Sequence, residues 1–319
     1  MITWYATNAI VVQATMTTLL LALSVQLPLR MGVFSFAGVG CFGIGGYTAA
    51  ILYTKFDVGT WPAVVIGTLL AGLLCYLLGL IIHKLSGLYL GMATVAFTLI
   101  VAVVATNGGN LTGGASGIFG ALGDITNVHV LLLLAVVVAG LAISEYGRFG
   151  RKIDTVREDP ELAAALGINV GRYRKLVFLA SGLIGGLAGA VTTLLRSTIT
   201  PAEINFHMVV MALTVIIIGG SSSWLGALIG AVVITWLPTV LSVVAEWESI
   251  IYGVLVALAA IFLPSGLLGL AKDLVHRGRS RRGSTPPGPS ASGGARTPDD
   301  EPSSPEPERS LASTQGGTL

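Results

Sequence analysis

Charge is what this chain has least of. Of its 319 residues, 34 are Asp, Glu, Lys or Arg, or 11%, where an ordinary soluble domain carries about a quarter. That shortage excludes a water-soluble enzyme. It is also uneven. Twelve charges fall in 145–175 and thirteen from Lys272 onward, leaving nine over the other 240 residues: Arg30, Lys55, Asp57, Lys84, Asp124, Arg196, Glu203, Glu246 and Glu248. Cysteine is nearly absent, and both Cys41 and Cys75 lie in apolar runs. A disulfide framework therefore has no support, and the two thiols read as small packing groups. The four histidines (His83, His129, His207, His276) have no Cys or carboxylate at metal-ligand spacing, so no metal site is expected. Lysine is scarce, and Lys55, Lys84, Lys152, Lys175 and Lys272 precede Phe, Leu, Ile, Leu and Asp. A phosphate-binding P-loop needs Lys followed by Ser or Thr, so this chain is expected to hold no ATPase. No basic residue precedes Arg30, which argues against a cleavable signal peptide and for a retained first helix with its N-terminus outside.

What the chain has in quantity is apolar length. A helical span takes about 20 such residues, and spans are read near 6–28, 36–54, 61–83, 87–106, 127–144, 176–197, 203–220, 224–244 and 250–270. The expected fold is an all-α polytopic membrane protein with about eight to ten transmembrane helices, some short or broken. Threading from an outside N-terminus puts Arg30, Lys84, the 145–175 loop and the C-terminal cluster inside. Lys55, Asp57, the 107–126 loop, Arg196, Glu203, Glu246 and Glu248 then lie outside, each near a span end. The inside segments hold most of the Lys and Arg, the positive-inside bias. The segment 203–220 is short enough to be re-entrant, but that choice would move the Arg277–Arg282 cluster outside, so charge bias favours a span. A secondary transporter coupled to ions would normally bury an ionisable group in a span; none of the nine falls well inside one.

Glycine is abundant, at 42 residues. Six lie between Gly32 and Tyr47, and Gly182 to Gly189 places small residues on one helical face. Small residues let helices approach closely in lipid, which is the expected role of most of them. The run after Arg30 is also read as a broken or kinked helix bordering a cavity. Beyond Ala271 the composition turns to Ser, Gly, Pro and mixed charge, so residues 273–319 read as a disordered cytoplasmic tail.

The 145–175 loop carries a short helix signal. Asp159 suits an N-cap, Pro160 the first helical position, Glu161 the first turn and Gly167 the stop. Two turns are marginal alone in water; docking on another body and simple solvation are both consistent with this pattern.

Glu161-Leu162-Ala163-Ala164-Ala165-Leu166-Gly167 resembles the Glu-Ala-Ala-x-x-x-Gly coupling motif of bacterial ABC importer permeases, with Leu162 in place of the first Ala. The longer string from Arg157 to Val170 resembles the branched-chain amino acid permease family, of the M type that pairs with a second permease. So do Gly87–Thr94, Leu111–Ile118, Gly219–Gly226 with Gly230-Ala231, and Leu263–Gly269. The resemblance covers roughly residues 10–270. One departure is Gly38, in Gly32-Val33-Phe34-Ser35-Phe36-Ala37-Gly38-Val39-Gly40-Cys41, where the family commonly has His. Relatives of the family carry urea, amides and other small solutes, so the solutes implied extend beyond branched-chain amino acids.

The resemblance implies a permease domain over 1–272 in the cytoplasmic membrane, with a cytoplasmic coupling helix. It implies a second related permease, two ATP-binding subunits that carry ATP and Mg, and an extracytoplasmic solute-binding protein. Arg157, Glu158, Asp159, Glu161, Ala163, Ala164 and Gly167 are the coupling candidates. Ser35, Gly38, Thr94, Thr112, Gly113, Gly114 and Ser116 are candidates for the pathway, where broken-helix backbone can receive a zwitterion without charged side chains. Packing hydroxyls and tight turns suit the same residues, and Thr112 equally fits an external turn meeting the binding protein. No cofactor on this chain and no nucleic-acid partner are expected.

Overall fold

Helices account for nearly all the regular structure because apolar backbone in lipid must satisfy its hydrogen bonds internally. The structure, a computed structural model, describes residues 2–82, 84–145, 148–220, 223–241 and 253. Apart from Gly253, the span expected at 250–270 lies outside these residues, as do the 273–319 tail and the Arg277–Arg282 cluster. The helices are α1 (Ile2–Arg30), α2 (Ala37–Lys55), α3 (Thr60–Ile82), α4 (Gly87–Asn107), α5 (Asn127–Glu145), α6 (Arg148–Glu158), α7 (Pro160–Ala165), α8 (Val170–Arg196), α9 (Phe206–Gly219) and α10 (Trp224–Leu241). Six of them, within α1 to α5 and α8, are long and apolar enough to cross a membrane. The protein is an all-α polytopic membrane protein.

Helix α8 is the centre of the bundle, and small residues put it there. A Cβ at Gly189 would strike the Phe42 carbonyl of α2, one at Gly185 the Gly38 carbonyl, and one at Gly182 the Cys75 side chain of α3. Backbone thus lies against backbone, as membrane helix pairs favour. Cys41 and Cys75 are buried free thiols in this seam. Pro28, near the end of α1, lacks the N–H that would bond the Ser24 carbonyl. The Ser181 hydroxyl of α8 donates to that carbonyl instead, at 2.6 Å, so the proline defect joins α1 to α8. Outward from this centre, α3, α4 and α5 expose Leu73, Ile81, Met92, Ile100, Leu132 and Ile143, a surface suited to lipid or another apolar subunit.

At the end of the bundle where α8 finishes, β1 (Ile118–Ala121) pairs antiparallel with β2 (Ser197–Ile199), with Ile118 opposite Ile199. The chain then folds back along the bundle. Ile199 Cδ1 fills the space a Cβ would take at Gly46, and Ile204 Cδ1 that at Gly43. This changes the expected layout. Separate spans at 203–220 and 224–244 are replaced by α9, of 14 residues and therefore about 21 Å long, and α10, bent at 116° to it. The Gln26 side chain of α1 donates to the Ser223 carbonyl at this bend, at 2.7 Å. Glu203 moves too: it belongs to the folded-back segment beside the middle of α2, not to a span end.

Candidate coupling helix and pathway

Residues 148–170 build a docked platform at the opposite end of the bundle. In α6, Ile153 and Val156 are one turn apart and buried, facing the same side of the helix. They share a cluster with Leu27 of α1, with Met31 and Val33 of the α1–α2 connection and with Val177 and Phe178 of α8. Gly32 (φ +70°) sits 3.6 Å from the Arg157 backbone, measured from the position of a Cβ. The turn that follows α1 therefore seats Arg157.

Asp159 closes one helix and opens the next. Its N–H donates to the Thr155 carbonyl at 3.1 Å, while its Oδ1 accepts from the N–H groups of Glu161 at 2.9 Å and Leu162 at 3.0 Å. Pro160 holds the first position of α7. At the far end Gly167 adopts φ +81°. Its N–H donates to the Ala164 carbonyl and that of Ile168 to the Ala163 carbonyl, both at 3.0 Å. That pair of bonds is a Schellman stop, and half-buried Ile168 joins the same cluster as Ala163. Asn169 then caps α8 by accepting from the Arg172 N–H at 3.0 Å.

With both ends fixed, the face of α7 is fixed as well. Ala163 is 0% exposed and docks inward, whereas Leu162 and Leu166 are 53% and 67% exposed. Arg157, Glu158, Asp159, Glu161, Ala164 and Gly167 are also exposed. All seven coupling candidates are thus brought together, Ala163 as the anchor and the rest on a free surface. Sequence reasoning missed α6 as a helix, and with it the Ile153–Val156 anchor. The apolar pair three residues apart in a charged run was the available signal.

The pathway candidates are not brought together. Ser35 and Thr94 meet at the break between α1 and α2. The Phe36 N–H donates to Thr94 Oγ1 at 3.0 Å, and the Ala37 N–H to Ser35 Oγ at 3.3 Å; both side chains are fully buried. The break borders an apolar cleft of about 380 Å³ lined by Phe34, Phe36, Leu88, Gly91, Met92, Val95, Ala96, Leu99 and Phe206. Gly38 lies elsewhere: a Cβ there would run into the Ser24 side chain and approach Ser181 Oγ at 3.2 Å, so this position serves helix packing. Thr112, Gly113, Gly114 and Ser116 lie beyond the far end of α4. There Thr112 Oγ1 donates to the Ala105 carbonyl at 2.6 Å, and Gly113 and Gly114 turn the chain at φ +75° and +61°. Among the described residues, no three His, Cys, Asp or Glu side chains group as a metal site would require.

Residues 8–261 match the family model described as "Branched-chain amino acid transport system / permease component". The chain belongs to this permease family. The match runs from α1 past α10, so bundle, platform and cleft all lie within the family region. Among its relatives is the high-affinity branched-chain amino acid transport system permease protein LivM of Escherichia coli (strain K12). It is 25% identical over 296 residues, covering 81% of this chain and 70% of the relative. The corresponding permease protein LivH of the same organism is 28% identical over 151 residues, covering 46% of this chain and 49% of the relative. The ribose import permease protein RbsC of Haemophilus influenzae is 28% identical over 223 residues, covering 65% and 68%. No solved structure matches this chain.

Proposed function

We propose that this permease is the membrane subunit of an ATP-driven importer of branched-chain amino acids. It pairs with a second, related permease, receives solute from an extracytoplasmic binding protein, and is driven by two ATP-binding subunits that hold ATP and Mg. The N-terminus lies outside, and α6 and α7 lie in the cytoplasm.

The observation that carries this reading is α7. A two-turn helix has no stability of its own in water, yet this one is capped at both ends, anchored by one buried alanine, and presents Leu162 and Leu166 to solvent. Exposed apolar ridges flanked by charge mark partner surfaces. A helix joined to α6 and docked beside the start of α8 can pass a partner's movement into the bundle. Similarity to both LivM and LivH supports a paired permease, and similarity to LivM over most of the chain supports the amino acid.

The test is uptake of labelled leucine by cells expressing the whole system. Uptake that stops on ATP depletion and persists with an uncoupler is the expected result; the opposite pattern would identify an ion-coupled transporter. Similarity to the ribose permease RbsC favours one second reading, another small solute on the same machinery. Competition by ribose or urea, with none by leucine, isoleucine or valine, would select it.

A further inference from the structure

Glu203 occupies an unusual place for a carboxylate. It ends a short 3-10 turn, Pro201–Glu203, in the folded-back segment, between Ile199 packed at Gly46 and Ile204 packed at Gly43. Tyr47, the next residue of α2, lies ten residues from Ala37 and eight from Lys55, or about 15 and 12 Å from the helix ends. The Glu203 side chain therefore stands well below the end of the bundle, at a depth where an ionisable group marks a solute or ion pathway. It is exposed on this chain, and among the described residues it makes no ion pair.

Tyr47 supplies a second, independent observation. The residue is 6% exposed, and its hydroxyl is buried with no hydrogen-bond partner among the described residues. Tyr47 stands one turn after Gly43, on the side of α2 against which Ile204, the neighbour of Glu203, is packed. A buried hydroxyl left unpaired is costly, and its free oxygen lone pairs can accept from a donor brought in beside it. Three residues after Glu203, Phe206 lines the apolar cleft with Phe34 and Phe36. Acceptors and apolar surface are thus adjacent along one short stretch of chain.

We propose that Glu203 and Tyr47 bind the ammonium group of the transported amino acid, with the cleft beside Phe206 receiving its aliphatic side chain. An ammonium presents three donors and no acceptor, which suits a carboxylate and a tyrosine oxygen. The Glu203 face then borders a watered pathway rather than lipid. This inference rests on the transport reading above.

The test uses the complete transporter in proteoliposomes, with saturating binding protein and labelled leucine. E203Q is expected to lower uptake by about tenfold or more, through loss of the charge that pairs with the ammonium, while ATP hydrolysis stays near the wild-type rate. E203D is expected to restore much of the uptake, and Y47F to lower it by a smaller factor, again with hydrolysis retained. Wild-type uptake in E203Q overturns the proposal. So does parallel loss of uptake and hydrolysis in E203Q and Y47F, or release of the second permease from E203Q, since these outcomes assign the pair to structure or assembly. If E203Q fails to insert, Y47F decides: reduced uptake with hydrolysis intact supports the site, and unchanged uptake overturns it. Wild-type transporter that moves no amino acid instead removes the transport reading itself.

Discussion

Single atoms decide the packing of the bundle. Gly189 meets the Phe42 carbonyl so closely that an added methyl must displace backbone, whereas a Cβ at Gly140 of α5 meets nothing within 4 Å. Overpacking costs about 1–3 kcal/mol, and Gly to Ala in an unobstructed helix gains up to about 1 kcal/mol. Thermal unfolding in detergent should therefore show a lower midpoint for Gly189→Ala and an equal or higher one for Gly140→Ala. Equal effects would contradict the proposed seam. The same contrast explains what sequence reading can and cannot recover here. The run Gly182–Gly189 announces a close helix contact, because small residues at helical spacing have few other uses in lipid. It does not announce the partner: that Gly38 lies opposite Gly185 in that seam cannot be read from its neighbours in sequence.

At the scale of elements, α7 was legible because its signals are local: Asp159, Pro160 and Gly167 each act within one turn. Its anchoring was not, because Ala163 shares its buried cluster with Ile153, Val156, Val177 and Met31, which come from three other parts of the chain. Helix α9 failed for the same reason. Its apolar run fits a span, and only the packing of Ile204 on Gly43 shows that the chain has already descended before the helix begins. The pairing of β1 with β2, which joins Ile118 to Ile199, left no mark in the sequence. Two substitutions separate the cap from the anchor. Asp159→Ala removes an N-cap worth about 1 kcal/mol and should reduce leucine uptake only partly. Ala163→Glu forces a charge into the buried contact, so α7 should detach and uptake should fall by about tenfold or more. Protease sensitivity of the 145–175 region should rise in the second variant with the chain still in the membrane. Wild-type uptake in Ala163→Glu would show that docking of α7 is not needed.

For the whole molecule, the scarcity of charge is an assignment of parts. The nearly uncharged helices form the membrane body, and their glycines draw α2, α3 and α8 together. Six apolar helices of sufficient length and a family match over 8–261 agree on that body. The charged segment 148–170 forms a platform at one end, packed in one cluster with the turn after α1 and the start of α8. Under the proposed function, this platform, through α7, is where ATP hydrolysis drives transport. The most direct measurement is ATP-dependent leucine uptake by the complete transporter carrying Glu161→Lys, together with the amount of chain in the membrane. Glu161 is exposed beside the Leu162–Leu166 ridge and plays no part in the bundle. Uptake is expected to be abolished while membrane insertion is unchanged; wild-type uptake in this variant would contradict α7 as the coupling site.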